Sequence, residues 1–269
     1  MNKYLETNKK LWDEKTKVHV DSAFYDVAGF KAGDSSLYPI EEAEIGDLVD
    51  GKTMLHLQCH FGMDTLSWAR RGAIPTGVDF SSKAVTQAQA LSTELGLPAR
   101  FIESNIYELP DKLDETFDIV YTSYGVLAWL PDIRAWGQLI GRYVKPGGFF
   151  YMAELHPFSM IFEDGEDGRL QADWPYFHTP EPLEWEVEGT YADLDAVMDT
   201  EKQYEWVHSM GDIVNALVDA GLQLEYLHEF DYTVFQQFKI IQKEGRLYTL
   251  PEGAPRIPLL FSLKACKPE

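Results

Sequence analysis

Met54-Leu-His-Leu-Gln-Cys-His-Phe-Gly-Met-Asp-Thr-Leu66 is the stretch from which the rest of this chain can be read. Thr53 to Gln58 is an apolar run of strand length, a turn follows, and a helix is expected from about Asp64 to Arg71, stopping at Gly72. A buried strand running into a turn and a helix is the repeating unit of doubly wound α/β folds, and ligands bind there, outside the carboxyl ends of the strands. A dinucleotide fold would place G-x-G-x-x-G at this turn, because glycines let the backbone approach a pyrophosphate at a helix N-terminus. Here Gln58, His60 and Gly62 fall on every second position, so only the last glycine stands. A cofactor without phosphate has less need of that open nest, which argues mildly against NAD.

Working outward, Thr76 to Phe80 reads as a second strand, and Ser81 or Ser82 can cap a helix running through Glu94 to Gly96. Arg100 to Glu103 and Phe117 to Thr122 are the third and fourth strands. A helix from about Asp132 to Val144 meets Lys145-Pro-Gly-Gly148, where proline and paired glycines forbid more helix, and Phe149 to Leu155 is the fifth strand. Strands alternating with helices predict a parallel sheet covered on both faces. The alternation stops after residue 156. Residues 157 to 187 mix four prolines with aromatics and acids, without helical or strand period, and read as an insertion or lid extending to residue 208. A helix over Ser209 to Ala220 and strands over Gln223 to Phe230 and Leu259 to Ala265 then complete the sheet within residues 209–269. Residues 1–50 read as a helical cap, and 51–156 as the ligand-binding core.

The chain has 269 residues, with 44 Asp and Glu against 23 Lys and Arg, for a net charge of -21. Such a charge repels polyanions, and no basic patch opposes it, so nucleic acid and anionic membrane are excluded as partners. The acidity is local: from Pro157 to Glu229 there are 18 acidic residues, Asp167 among them, and only Arg169 and Lys202 of opposite sign. No stretch approaches the ~18 apolar residues of a membrane span, and Met1 to Lys17 carries no apolar leader core. Two cysteines, Cys59 and Cys266, make no disulfide framework. A soluble cytoplasmic protein is expected, its oligomeric state unspecified.

Four segments carry candidate chemistry. Asp79, 21 residues after Gln58 at the end of the second strand, can accept from two ribose hydroxyls, and Phe80, followed by Ser81, offers an apolar face to adenine. Asp79 could equally cap the next helix. Asn105 can bond the adenine edge while Ile106 packs on the ring. Ser123 and Tyr124 leave the fourth strand with small and hydroxylated groups on the cleft. His56 and His60 have the i, i+4 spacing of a helical metal pair but sit on a strand and its turn, so no metal is expected. Cys59 is most simply a small packing residue in the same turn.

Taken in order, these segments resemble class I S-adenosylmethionine-dependent methyltransferases of the small-molecule kind, over residues 53 to 155 and more loosely to Lys264. In that family the first strand usually ends in D-x-G-x-G-x-G. His56, Gln58 and His60 depart from it and Gly62 keeps it. A bacterial subgroup shares the run Leu57-Gln-Cys-His-Phe-Gly62 followed by Asp64-Thr-Leu-Ser-Trp-Ala-Arg70, so the departures resemble a subfamily variant. The resemblance implies a seven-stranded, mostly parallel sheet and S-adenosylmethionine as cofactor. It places the adenosyl part on Asp79, Phe80, Ser81, Asn105 and Ile106, and the methyl donor against Gln58, Cys59, Gly62, Ser123 and Tyr124.

Methyl transfer from a sulfonium is an in-line displacement, so the enzyme orients the acceptor, excludes water and removes a proton where the nucleophile carries one. Glu154 and His156 lie two apart at the end of the fifth strand, on one face, and could serve there beside Tyr124, with His156 as the base. They could instead order the loop and bond the backbone. The aromatics of the cap and lid, Trp12, Tyr25, Tyr38 and Tyr191 among them, together with the acids, suit a small cationic or amine-bearing acceptor. A protein that binds the cofactor without catalysis, as a sensor or partner subunit, and an NAD-dependent oxidoreductase with a degraded glycine loop are the alternatives.

Overall fold

The computed structural model describes residues 2–166 and 168–269. Met1 of the expected cap and Asp167 of the acidic run lie outside the described residues. Seven strands, β1 (Thr53–Leu57), β2 (Ile74–Asp79), β3 (Arg100–Glu103), β4 (Phe117–Ser123), β5 (Val144–Leu155), β6 (Gln223–Phe230) and β7 (Leu260–Cys266), form one sheet in the order β6-β7-β5-β4-β1-β2-β3. β1 runs parallel to β2 and β4, and β7 is antiparallel to both of its neighbours. The strand order reverses between β1 and β4, which opens a crevice at their carboxyl ends. β1 and β4 are covered on both faces and buried along nearly their whole length, as their unbroken apolar runs require.

Among the described residues seven α-helices accompany the sheet: α1 (Lys3–Asp21), α2 (Val27–Ala32), α3 (Pro39–Ile45), α4 (Met63–Arg70), α5 (Ser82–Leu95), α6 (Ile133–Tyr143) and α7 (Met210–Asp219). Their ends follow local chemistry. Ser81 caps α5 through the N–H of Ala84, Asp132 caps α6, and Ser209 with Asp212 forms a capping box on α7. α6 and α7 pack so closely that a Cβ on Gly137 would lie 2.3 Å from the carbonyl oxygen of Ala216. Glycine is therefore a packing requirement there.

The expected elements appear with ends moved by one or two residues, except at β5. Its pairing with β4 starts at Val144 opposite Phe117, then jumps so that Ile119 faces Phe149, and the Lys145-Pro-Gly-Gly148 turn is absorbed as an irregularity within the strand. The segment after β5 is also more regular than its sequence suggests. It holds two hairpins, Phe162–Asp164 with Leu170–Ala172 and Leu183–Glu186 with Lys202–Glu205, whose strands of three and four residues are too short to show a period. The second hairpin is fastened to α1: the Asn8 side chain donates to the Tyr204 carbonyl at 2.7 Å and accepts from its N–H at 2.9 Å. Glu14 takes the N–H groups of Asp199 and Thr200. A third small sheet, Tyr232–Thr233, Gln242–Glu244 and Leu247–Thr249, lies between β6 and β7 and had no counterpart in the sequence reading. Among the described residues no helix is long and apolar enough to cross a membrane.

Candidate active site

A cavity of about 980 Å³ opens at the carboxyl ends of β1 to β4, roofed by α1, α2, the second hairpin and the third small sheet. The turn from β1 into α4 forms its floor. Gln58, His60 and Gly62 all have left-handed backbone there, with φ of 56°, 50° and 81°. The turn thus keeps the conformation that glycines would adopt freely, while carrying two side chains that adopt it at a cost of order 1 kcal/mol each. The glycine that survives answers to packing: a Cβ on Gly62 would lie 2.8 Å from the Phe101 ring and 2.9 Å from Ala88. Its smallness lets α4 and the turn sit against β3 and α5.

On the β2 and β3 side, Asp79 accepts from the N–H of Ser81 at 2.8 Å and of His60 at 2.9 Å, one bond to each oxygen. Each oxygen keeps a lone pair for a further donor, and burial pushes the carboxyl up to about 6. Phe80, Ser104, Asn105 and Ile106 complete this end. Asn105 accepts from Tyr107 N–H through Oδ1, leaving its amide nitrogen as a donor. On the β1 and β4 side lie His56, Gln58, Cys59 and Ser123. Burial holds the His56 imidazole down at about 3, hence neutral, and pushes the Cys59 thiol up, so it is no nucleophile.

Beyond the turn the cavity forms a chamber lined by the aromatic rings of Tyr25, Tyr38, Tyr124 and Tyr191. Asp64, two residues into α4's first turn, faces this chamber and receives hydrogen bonds from Ser36 at 2.6 Å and Ser123 at 3.1 Å. Burial pushes its carboxyl up. Behind it, Glu41 of α3 is fully buried and accepts from the hydroxyls of Tyr121 and Tyr124 and the N–H of Tyr38, and burial, then Asp64, pushes it up to about 8. Arg246 closes one wall. Its guanidinium lies 4.4 Å from the Tyr38 ring and donates to the carbonyls of Ser35, Ser36 and Leu37. Lys15 is buried between the rings of Trp12 and Trp129, and desolvation, offset in part by Glu205, lowers it to about 8.

Three of the expected residues do not line the cavity. Ser81 caps α5 and donates to Asp13 at 2.6 Å. The Glu154 carboxylate is buried under the N–H groups of Gly125, Val126, Leu127 and Leu155, so it shapes the loop after β4. His156 accepts the Phe158 N–H at Nδ1, which leaves its proton on Nε2, 2.8 Å from Glu229. The imidazole expected as a base links the end of β5 to β6, with both ring nitrogens spent on the protein.

Residues 54–148 match a protein family described as a methyltransferase domain. The ubiquinone biosynthesis O-methyltransferase of Alkalilimnicola ehrlichii is 30% identical over 145 residues, 51% of this chain and 58% of that protein. The chain spans about half the length of the curated relatives it matches. An S-adenosylmethionine dependent methyltransferase from Mesorhizobium loti shares the fold with a TM-score of 0.54 at 20% identity, over 81% of this chain and 91% of that one. A glycopeptide N-methyltransferase solved with S-adenosylmethionine gives 0.55 at 16% identity, over 88% of each chain. Residues 54–148 thus carry a methyltransferase domain, on a fold shared with S-adenosylmethionine-dependent methyltransferases.

The cavity of this methyltransferase domain suits its cofactor class. At one end Asp79 offers acceptors for vicinal hydroxyls beside the Phe80 and Ile106 faces. Trp12 Nε1, His56 Nε2, Gln58 Oε1 and His60 Nδ1 also belong to cavity residues and are buried without a hydrogen-bond partner among the described residues. Buried polar atoms are ordinarily paired, and each left unpaired costs on the order of 1–3 kcal/mol, so these four are open to a polar ligand group. The sequence reading missed Asp64 and Glu41 and the roof residues Lys15, Glu205 and Arg246. Asp64 lies within the quoted motif, where the spacing marks it only as a helix start. The others come from segments with no motif.

Proposed function

We propose that the protein transfers the methyl group of S-adenosylmethionine to a small amine-bearing or cationic acceptor enclosed in the aromatic chamber. The observation that carries this reading is the cavity itself. Its volume is at the upper end of the roughly 300–1,000 Å³ of small-ligand pockets, which leaves room for an acceptor beside a nucleoside cofactor. A cofactor-binding sensor whose cleft was filled by its own aromatics would lack that room. Of the ten charged residues lining it among the described ones, eight are carboxylates. Of the two cations, Lys15 faces Glu205 and Arg246 is spent on backbone carbonyls. The field inside therefore favours a positive acceptor.

The cofactor supplies an electrophilic methyl group on a sulfonium, and the protein's part is to hold, orient and deprotonate. The tyrosine rings of the chamber exclude water and present π faces to a cation. Asp64, with two hydroxyl donors and no cation bonded to it, is the group placed to pair with an ammonium and take its proton. A screen with tritiated methyl donor over amine, neutral and anionic acceptors tests the reading. Labelling confined to amines, lost in Asp64→Asn, is expected; equal labelling of all three classes refutes the acceptor assignment. Thermal stabilisation by NAD and not by S-adenosylhomocysteine would remove the methyl-donor reading altogether.

A further inference from the structure

The tyrosines that line the chamber have their hydroxyls bonded within the protein. Tyr25 and Tyr191 share a hydrogen bond between their hydroxyls at 2.5 Å, Tyr38 donates to the Val234 carbonyl at 3.2 Å, and Tyr124 donates to Glu41 at 2.9 Å. Only one O–H proton of the four, in the Tyr25–Tyr191 pair, is left uncommitted. Ser36 and Ser123 are likewise spent, each donating to a different oxygen of Asp64. These bonds also fix where the rings stand. Ser36 lies two residues before Tyr38 and Ser123 directly before Tyr124, so both rings flank the Asp64 carboxylate, with their centroids 5.3 Å apart. Burial first pushes the Tyr25 and Tyr191 hydroxyls up, and the Asp64 charge adds to the rise in both, so the second pair of rings lies within the same field. One ring already carries a cation: the Arg246 guanidinium lies 4.4 Å from the Tyr38 centroid.

What this chamber offers an amine is one carboxylate charge and ring surface, with few polar atoms that would count its N–H groups. An ammonium held by hydrogen bonds loses one whenever an N–H becomes N–CH3, at about tenfold in affinity for each bond to a charged group. An ammonium held by charge and ring surface keeps its hold, because the methylated ion carries the same charge and more apolar area. Resting on the amine-acceptor reading above, we propose that the chamber takes its own methylated product as the next substrate, carrying one amine through successive transfers to a quaternary ammonium. In each round the ammonium gives a proton to Asp64, and the amine lone pair then forms the N–C bond. The S–C bond of the donor breaks with its electron pair going to sulfur, and nitrogen regains its positive charge. S-adenosylhomocysteine and the proton leave before the next round. The series ends at the quaternary ion, which has neither a proton to give nor a lone pair to attack with. A cavity of about 980 Å³ leaves space for the added methyl groups.

Calorimetric titration of the full chain, saturated with S-adenosylhomocysteine, tests this with methylammonium, dimethylammonium, trimethylammonium and tetramethylammonium, and with tert-butanol as a neutral probe of similar size. Affinity should hold or rise along the series of cations. Tetramethylammonium should bind at least about tenfold more tightly than tert-butanol, the size of one desolvated cation–π contact. Asp64→Asn should weaken all four cations by a similar factor, whereas Tyr191→Leu should weaken tetramethylammonium severalfold more than methylammonium. An affinity that falls from methylammonium to tetramethylammonium overturns this inference and leaves the amine-acceptor reading standing. Binding of tert-butanol as tight as that of tetramethylammonium, or no binding by any of the cations, overturns both. The wild-type series decides by itself, so the outcome does not depend on either variant folding. A chain that fails to bind S-adenosylhomocysteine sinks the methyl-donor reading and this inference with it.

Discussion

Replacing Glu41 with glutamine should make the protein's stability less sensitive to pH, in a direction the structure fixes. Glu41 has no exposed surface, and its partners are the hydroxyls of Tyr121 and Tyr124 and the N–H of Tyr38, with the Asp64 carboxylate also acting on it. Burial first, and Asp64 second, raise its pKa from 4.5 to about 8. A carboxyl whose folded pKa lies above its unfolded one contributes its full stability below the unfolded value and loses it as pH rises through the folded value. Each pH unit between the two is worth about 1.4 kcal/mol, so wild type should lose roughly 3–4 kcal/mol relative to Glu41→Gln between about pH 5 and pH 8. Urea denaturation of both proteins at the two pH values measures this double difference, in which the titrating groups that do not interact with Glu41 cancel. A difference that stays constant with pH would show that Glu41 remains ionised in the fold, with its three donors outweighing desolvation.

Other expectations follow from single contacts. Asn8→Ala should cost about 2 kcal/mol in denaturant unfolding and speed amide exchange in the second hairpin, because both backbone groups of Tyr204 lose their partner. His156→Ala should lower stability by roughly 1–2 kcal/mol yet leave S-adenosylhomocysteine affinity and methyl transfer near wild type; a turnover loss above about a hundredfold would restore His156 as the base. Gly77→Ala should cost about 1–3 kcal/mol in the same assay, since its Cβ would come within 2.7 Å of the Phe101 ring and 2.8 Å of Cys59 Sγ.

The sheet, its helices and most of their ends were legible in the sequence because their causes are local. Apolar runs mark the buried parallel strands. Ser81, Asp132 and Ser209 stand where helices need oxygen at their first turn, and Gly96 stands where α5 must leave it. Asp79, Asn105 and Ser123 were also within reach, since the end of a parallel strand in such a fold is a known address. Alternation along β5 puts Glu154 and His156 on one face, but what meets them there is set by other segments. The loop after β4 takes the carboxylate, and Glu229, 73 residues downstream, takes the imidazole. The same holds for the chamber. Glu41, Lys15 and Arg246 belong to segments without motif, and only folding brings them to one cavity wall or behind it. Sequence alone determined which backbone is built and where its ligand crevice opens, because propensity, capping and periodicity act within a few residues. Tertiary structure decided which side chains remain free to act in that crevice, because a polar group's availability depends on every donor and acceptor that packing brings within 3 Å of it.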